Sequence, residues 1–251
     1  MRVYLGTGGY SNPDWQGLLY PDWMKKNDAL TVYRQHPRMD PQALRPDPAA
    51  GAALRQRLGL AADSFVLLGV GRMVPKKGFD SIIQAMPLFS GAHGGAPLAR
   101  RVDLVLVGDG DYRAPWQTLA RALGVEAHVH FVGNVPYDQM GAYYNLADVF
   151  VMPSVTLPVD GLNVCVLDAM ACARPIVATT VAGNPLVVND GDNGFLVHER
   201  SPGSLAAAVT RLIEEPALRL AQGARSRQRI EQEFAWEHLA RRYLTHFEAL
   251  R

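Results

Sequence analysis

From Phe65 onward, short apolar runs alternate with longer segments of helical period. The runs FVLLGVG (65–71), VDLVLVG (102–108), HVHFVG (128–133), DVFVMPS (148–154), PIVAT (175–179) and GFLV (194–197) read as strands. Most alternate too little for a sheet with one wet face, so a parallel sheet covered by helices on both sides is expected. Helices fit between the strands near 79–89, 112–123, 137–146, 161–173 and 184–189, with Gly124 and Pro136 as punctuation. After Val197 the pattern turns wholly helical, over 203–214, 216–232 and 236–249, with Pro202 and Pro216 near helix starts. This order predicts an α/β fold, a doubly wound parallel Rossmann-like sheet followed by C-terminal helices.

The chain before Phe65 follows another pattern. Residues 37–62 are rich in Pro, Ala and Asp and end in the helical stretch GAALRQRLGL, so 37–64 reads as a linker and leading helix. The Gly/Ala-rich segment SGAHGGAPLAR (90–100) lacks a strand-to-helix setting and reads as a surface loop.

Composition narrows the class. With 251 residues, 48% hydrophobic content and a formal net charge of +1, the chain reads as a globular protein of one or two domains. That near-neutral balance argues against nucleic acid or an anionic membrane as main partner. No apolar run approaches the roughly 18 residues of a membrane span, and the N-terminus lacks signal-peptide regions, so cytoplasmic residence is the expectation. Cys165 and Cys172 lie seven residues apart on one predicted helix, roughly 10 Å along its axis. That is too far for a disulfide, and both are expected as reduced core residues. Among the seven histidines no pair has a metal-ligand spacing backed by carboxylates, so no metal is expected; His128 and His130, on one face of a strand, read as structural. The arginines at 225, 227, 229, 241 and 242 read as solvated helix faces.

The chemistry concentrates at strand ends, where open α/β sheets bind ligands. In PSVTLPVDGLNVCVLDAMA (153–171), Asp160 and Asp168 bracket a helix expected to open at Gly161. Free N–H groups and the positive end of the helix dipole suit a phosphate there. From Gly161 to Asp168 such a helix rises roughly 10 Å, so one acid would address each end of a ligand with a central diphosphate. A nucleotide-sugar has that layout. The first strand ends in GVGRMVPKKGFD (69–80), placing Arg72 and Lys77 where they would neutralise a diphosphate, with Lys76 left facing solvent. Gly133 to Val135, after the third strand, would frame a flat base through main-chain bonds or serve only as a turn. Asp109 reads as a turn residue.

Together GRMVPKKGFD, VGDG, HFVGNV, DVFVMPS, DGLNVCVLDAMA, RPIVAT, AGNP, GDNGFLV and FAWEHLARR resemble the C-terminal, donor-binding half of family-4 GT-B retaining glycosyltransferases, from about residue 38 to 251. The family's acid-x7-acid motif normally carries two Glu; its positions here are Asp160 and Asp168. The resemblance implies that Asp160 contacts hydroxyls of the transferred sugar, that Gly161, Leu162, Asn163 and Val164 face its phosphate, and that Asp168 meets the ribose. Arg72 and Lys77, beside Gly71, would clamp the diphosphate without a metal, and no cofactor beyond the nucleotide-diphosphate sugar is implied. Leu186 stands where many members carry Glu. The stretch RVYLGTGGYSNPDWQGLLYPDWMKKNDALTVYRQH (2–36) resembles the opening βα unit of the TIM-barrel family called domain of unknown function 72. The expected domains are therefore an orphan βα fragment at 1–36, the linker and leading helix at 37–64, and the donor-binding domain at 65–251. The resemblance implies a glycosyltransferase acting on an acceptor the sequence does not name. With fewer than 65 residues before the first strand, no complete acceptor domain fits, and a fusion, truncation or chimera is expected. The alternatives are a binding module that holds nucleotide-sugar without turnover, self-associating or meeting a partner chain through its exposed cleft face, and an inactive truncated or chimeric fragment with no ligand.

Overall fold

In the computed structural model, residues 44–90, 100–158 and 160–235 are described. The fragment at 1–36, the predicted helix at 236–249 and most of the 90–100 loop lie outside them. The strands are β1 (Phe65–Val70), β2 (Val102–Val107), β3 (Val129–Gly133), β4 (Val149–Met152), β5 (Ile176–Thr179) and β6 (Gly194–Val197). They form one parallel sheet in the order β3-β2-β1-β4-β5-β6. The doubly wound Rossmann-like reading holds.

Burial shows why these runs lack alternation. In β1, Phe65 and Leu67 join one apolar cluster while Val66 and Leu68 join a second on the opposite face, and all four are fully buried. Two-sided covering makes every position apolar. The first face is covered by α2 (Phe79–Phe89), α3 (Arg113–Ala122) and α7 (Pro202–Glu214), through Ile82, Ile83, Trp116, Leu205 and Leu212 among others. The second is covered by α1 (Pro48–Arg57), α4 (Met140–Leu146) and α5 (Val164–Ala171), through Leu54, Tyr144, Val166 and Met170. The short α6 (Asn184–Val187) adds Val187 to that side, and α8 (Pro216–Arg229) is followed by a π-helical turn at Ile230–Phe234.

Helix starts follow local chemistry. Proline opens α1, α7 and α8, where its missing N–H removes no helical bond. Asp47 caps α1 by accepting from the Ala50 N–H at 2.9 Å. Within the stretch predicted as linker and leading helix, α1 packs closely on α4. A Cβ on Gly51 would stand 2.3 Å from the Asn145 carbonyl oxygen, and the Asn145 amide bridges the Asp47 N–H and the Arg45 carbonyl.

Two expectations need correction. The helix predicted over 161–173 begins at Val164 instead of Gly161, with Asn163 extended at its N-cap. Glycine favours non-helical backbone, the Gly161 carbonyl accepts from the Gly183 N–H, and the Asn163 side chain bonds elsewhere. The arginines of α8 are only partly solvated. Arg227 donates to the carbonyls of Leu44 and Ala171, and Arg229 to that of Val187, so both tie the helix to the domain. Arg225 stays exposed, and 241 and 242 lie outside the described residues.

Candidate functional site

The strand order reverses between β1 and β4, and a crevice opens at such a switch point beyond the strands' carboxyl ends. The loops after these two strands meet there. Lys76 and Lys77 sit in a 3-10 turn (Pro75–Lys77) closed by Gly78, and the Val155 N–H donates to the Lys76 carbonyl at 3.1 Å. Gly78 has φ +61°, and a Cβ on it would stand 2.0 Å from the Pro153 carbonyl oxygen. Only glycine lets the two loops approach this closely.

The contact brings together residues far apart in sequence. Lys77 Nζ donates to Asp160 Oδ2 at 2.8 Å and also to Asn163 Oδ1. Lys76 Nζ lies 3.2 Å from Asp160 Oδ1, so one carboxylate bridges two ammonium groups. Lys76 is therefore not the solvated neighbour the sequence suggested. Residues one apart on a tight turn diverge, but long flexible stems let both heads converge on one carboxylate. Burial alone would push the Asp160 carboxyl up; Lys77 and then Lys76 outweigh it and hold it below the usual carboxylate range.

Behind this cluster runs a buried polar chain. The Asn163 amide donates to Ser154 Oγ at 3.0 Å, Thr179 Oγ1 donates to the Ser154 carbonyl at 2.7 Å, and the Asn184 amide donates to the Thr179 carbonyl at 3.1 Å. Ser154, Thr179 and Asn184 are fully buried, so they fix Asn163 from below. Ser154 was missed in the sequence, since a serine at a strand end carries no signal of its own. The loop bearing Asp160 is held outside as well: Thr156 donates through its N–H and hydroxyl to Glu199, at 2.6 and 2.5 Å.

The other predicted residues divide into groups. Arg72 is exposed at the cleft. Gly71 packs under the Lys77 stem, where a Cβ would meet Lys77 Cε at 3.2 Å. Gly161, Leu162 and Val164 are exposed, and Gly161 leaves open space where a Cβ would stand. Asp168 points inward and is only 8% exposed, with the Tyr144 hydroxyl donating to its Oδ2 at 3.2 Å. Burial and then the Asp168 charge push the Tyr144 hydroxyl well above its ordinary range, so it stays a donor. Gly133, φ +88°, is buried and its carbonyl accepts from the Gly108 N–H at 2.8 Å, while Val135 is half-buried. Arg113 reaches in front of Gly133, donating to the Phe131 carbonyl at 3.2 Å and to Asp109. Asp109 also accepts from the Gly110 N–H, a turn role as expected.

Both thiols are free, and burial pushes each up to about 12. Among the described residues, no group of three or more His, Cys, Asp or Glu is arranged to hold a metal ion, and no helix is long and apolar enough to cross a membrane. A separate recess of about 610 Å³ opens between α1 and α4, lined by Arg45, Asp47, Arg57 and Asp138 among others and by none of the cleft residues named above.

Sheet order and switch-point crevice define a Rossmann-like α/β domain of the kind found in GT-B glycosyltransferases. The chain belongs to the family described as glycosyl transferases group 1, whose model matches residues 52–229. It is 36% identical over 211 residues to the GDP-mannose-dependent alpha-(1-6)-phosphatidylinositol monomannoside mannosyltransferase of Mycobacterium tuberculosis, covering 81% of this chain and 52% of that protein. It is 35% identical over 184 residues to a D-inositol 3-phosphate glycosyltransferase of Acidothermus cellulolyticus, covering 70% and 40% respectively. Thus the chain spans about half the length of the curated relatives it matches. Among solved structures, sucrose-phosphate synthase from Thermosynechococcus elongatus aligns with TM-score 0.70 at 27% identity, over 84% of this chain and 50% of that one. Anabaena HepE in complex with UDP and glucose aligns with TM-score 0.73 at 24% identity, over 83% and 54%, a likeness of fold.

Proposed function

We propose that this chain is the donor-binding part of a retaining, metal-independent family-4 GT-B glycosyltransferase, and that its cleft takes a nucleoside-diphosphate sugar. The observation that carries the reading is the convergence of Lys76, Lys77 and Asp160 at the switch point between β1 and β4. Lys77 and Arg72 bind the diphosphate, Asp160 accepts from sugar hydroxyls, and Asp168, oriented by Tyr144, meets the ribose. Gly161 to Val164 lie along the phosphates, and Gly133 to Val135 face the base. GDP-mannose is the first donor to test, because the mycobacterial relative is named for it.

During transfer, the bond between the anomeric carbon and the phosphate oxygen breaks and its electron pair stays on the diphosphate. Lysine and arginine charge, fixed beforehand in a crevice, stabilises that departing group. The anomeric carbon passes through an oxocarbenium-like state. An acceptor hydroxyl oxygen forms the new bond on the same face, and its proton passes to the departing phosphate. Leu157, Leu162, Val164 and Leu186 stand exposed at the same end of the sheet, which supports covering of this face by an acceptor-binding part or a second chain.

Thermal unfolding with GDP, UDP, ADP and GDP-mannose tests the reading. A rise in Tm with at least one of them at millimolar concentration is expected, and no shift with any would refute it. Where turnover is seen, proton NMR of the product anomer reads out retention.

A further inference from the structure

The charge cluster in the cleft has parts of unequal freedom. Asn163 is 4% exposed and tied to Ser154 from behind, so its oxygen holds one of the three Lys77 donors in place. Asp160 has no such anchor. Its carboxylate accepts from the adjacent Gly161 N–H at 3.2 Å and otherwise from the two lysine heads, and Gly161 has open space where a Cβ would stand. The lysine stems also keep some exposure, 23% for Lys76 and 13% for Lys77. Asp160 and a bound diphosphate would therefore compete for the same ammonium groups, as like charges around one cation.

Resting on the donor-site reading, we propose that Asp160 is an exchangeable counter-ion that makes the cleft prefer a nucleotide-sugar over the free nucleoside diphosphate. When a diphosphate takes Lys77, the Asp160 carboxylate loses part of its ionic partner. A sugar attached to the diphosphate replaces that loss, because its hydroxyls donate to the carboxylate. A bare nucleoside diphosphate offers no donor there and leaves Asp160 half-buried without compensation. The donor is thus held while its sugar is present, and the product is released once the sugar has gone. Discrimination would come from a group that opposes the product as well as from one that attracts the donor.

Isothermal titration of the full chain with GDP, UDP, GDP-mannose and UDP-glucose tests this in wild type, Asp160→Asn and Asp160→Ser, each first shown folded by its circular-dichroism melt. Wild type should bind at least one nucleotide-sugar more tightly than the matching nucleoside diphosphate. Both variants should bind that diphosphate about tenfold more tightly than wild type, the equivalent of one hydrogen bond to a charged group, and lose the preference. Diphosphate binding that is unchanged or weaker in the variants overturns this inference and leaves the donor-site reading standing. No heat from any ligand in all three proteins overturns both. Binding of nucleoside diphosphate in the variants alone supports the exchange strongly.

Discussion

Two aspartates at opposite ends of one sheet show how the same charge chemistry serves different ends. At the amino ends of the strands, Asp103 is fully buried and saturated. Arg101 grips it with two hydrogen bonds at 2.9 and 3.0 Å, Ser64 donates to it, and His128 and His130 stand 3.3 and 3.2 Å from its Oδ1. At the carboxyl ends, the Asp160 side chain is only 6% exposed, but apart from the adjacent Gly161 N–H its partners are two flexible lysines. Partner number and freedom divide the two, and burial does not. A carboxylate whose hydrogen-bonding positions are all filled by anchored donors can only hold structure, whereas one balanced by mobile cations can exchange them for a ligand.

The sharpest way to break this contrast is to remove each acid in turn. Asp103→Ala should lower unfolding stability by about 2–3 kcal/mol, measured by urea denaturation, because the buried Ser64 hydroxyl loses its acceptor and the space of a buried side chain is left empty. Asp160→Ala should cost less, about 1 kcal/mol, because both lysine stems already reach solvent and their freed heads can turn into it. Equal losses would erase the distinction. Gly78→Ala should cost about 2 kcal/mol, since a Cβ would strike the Pro153 carbonyl and a left-handed residue would be strained. It should also weaken nucleotide binding by parting the two loops. Lys77→Met should weaken nucleotide-sugar binding by about 1.5–3 kcal/mol, roughly tenfold or more by titration, with the fold intact.

Acid sharpens the comparison further. Burial would raise the Asp103 carboxyl, but hydrogen bonds from His130, Arg101 and Ser64 hold it well below the usual range. A depressed folded-state value means that the unfolded chain binds more protons as pH falls. The stabilisation is then complete above the unfolded value near 4 and drains away below it. Urea midpoints should fall as pH drops below about 4, and Asp103→Asn should flatten that limb. The smallest expected effect belongs to Leu186→Glu. At 70% exposure the change should move stability by less than about 0.5 kcal/mol and act mainly on sugar preference, read by titration with GDP-mannose and UDP-glucose.

These two ends were not equally readable in the sequence. The strands and their order along the chain were legible because two-sided burial removes alternation, as in β1 and β2. Asp160, Lys77 and Arg72 could be named because loops at strand ends bear ligands in this fold class. The start of α5 was misplaced, since the tie between Gly161 and Gly183 is tertiary and leaves no periodic mark. Lys76 was set aside because adjacency on a turn says nothing about where a long stem finally reaches. The Asp103 cluster was half visible: His128 and His130 were read as structural, but the acid that gathers them is 25 residues away from one and 27 from the other.

A crystal structure of the chain with GDP-mannose bound would show which groups hold the donor. The diphosphate is expected within hydrogen-bonding distance of Lys77 Nζ and Arg72, with mannose hydroxyls on Asp160. A ligand lodged in the recess between α1 and α4, with Lys77 still paired to Asp160, would contradict it.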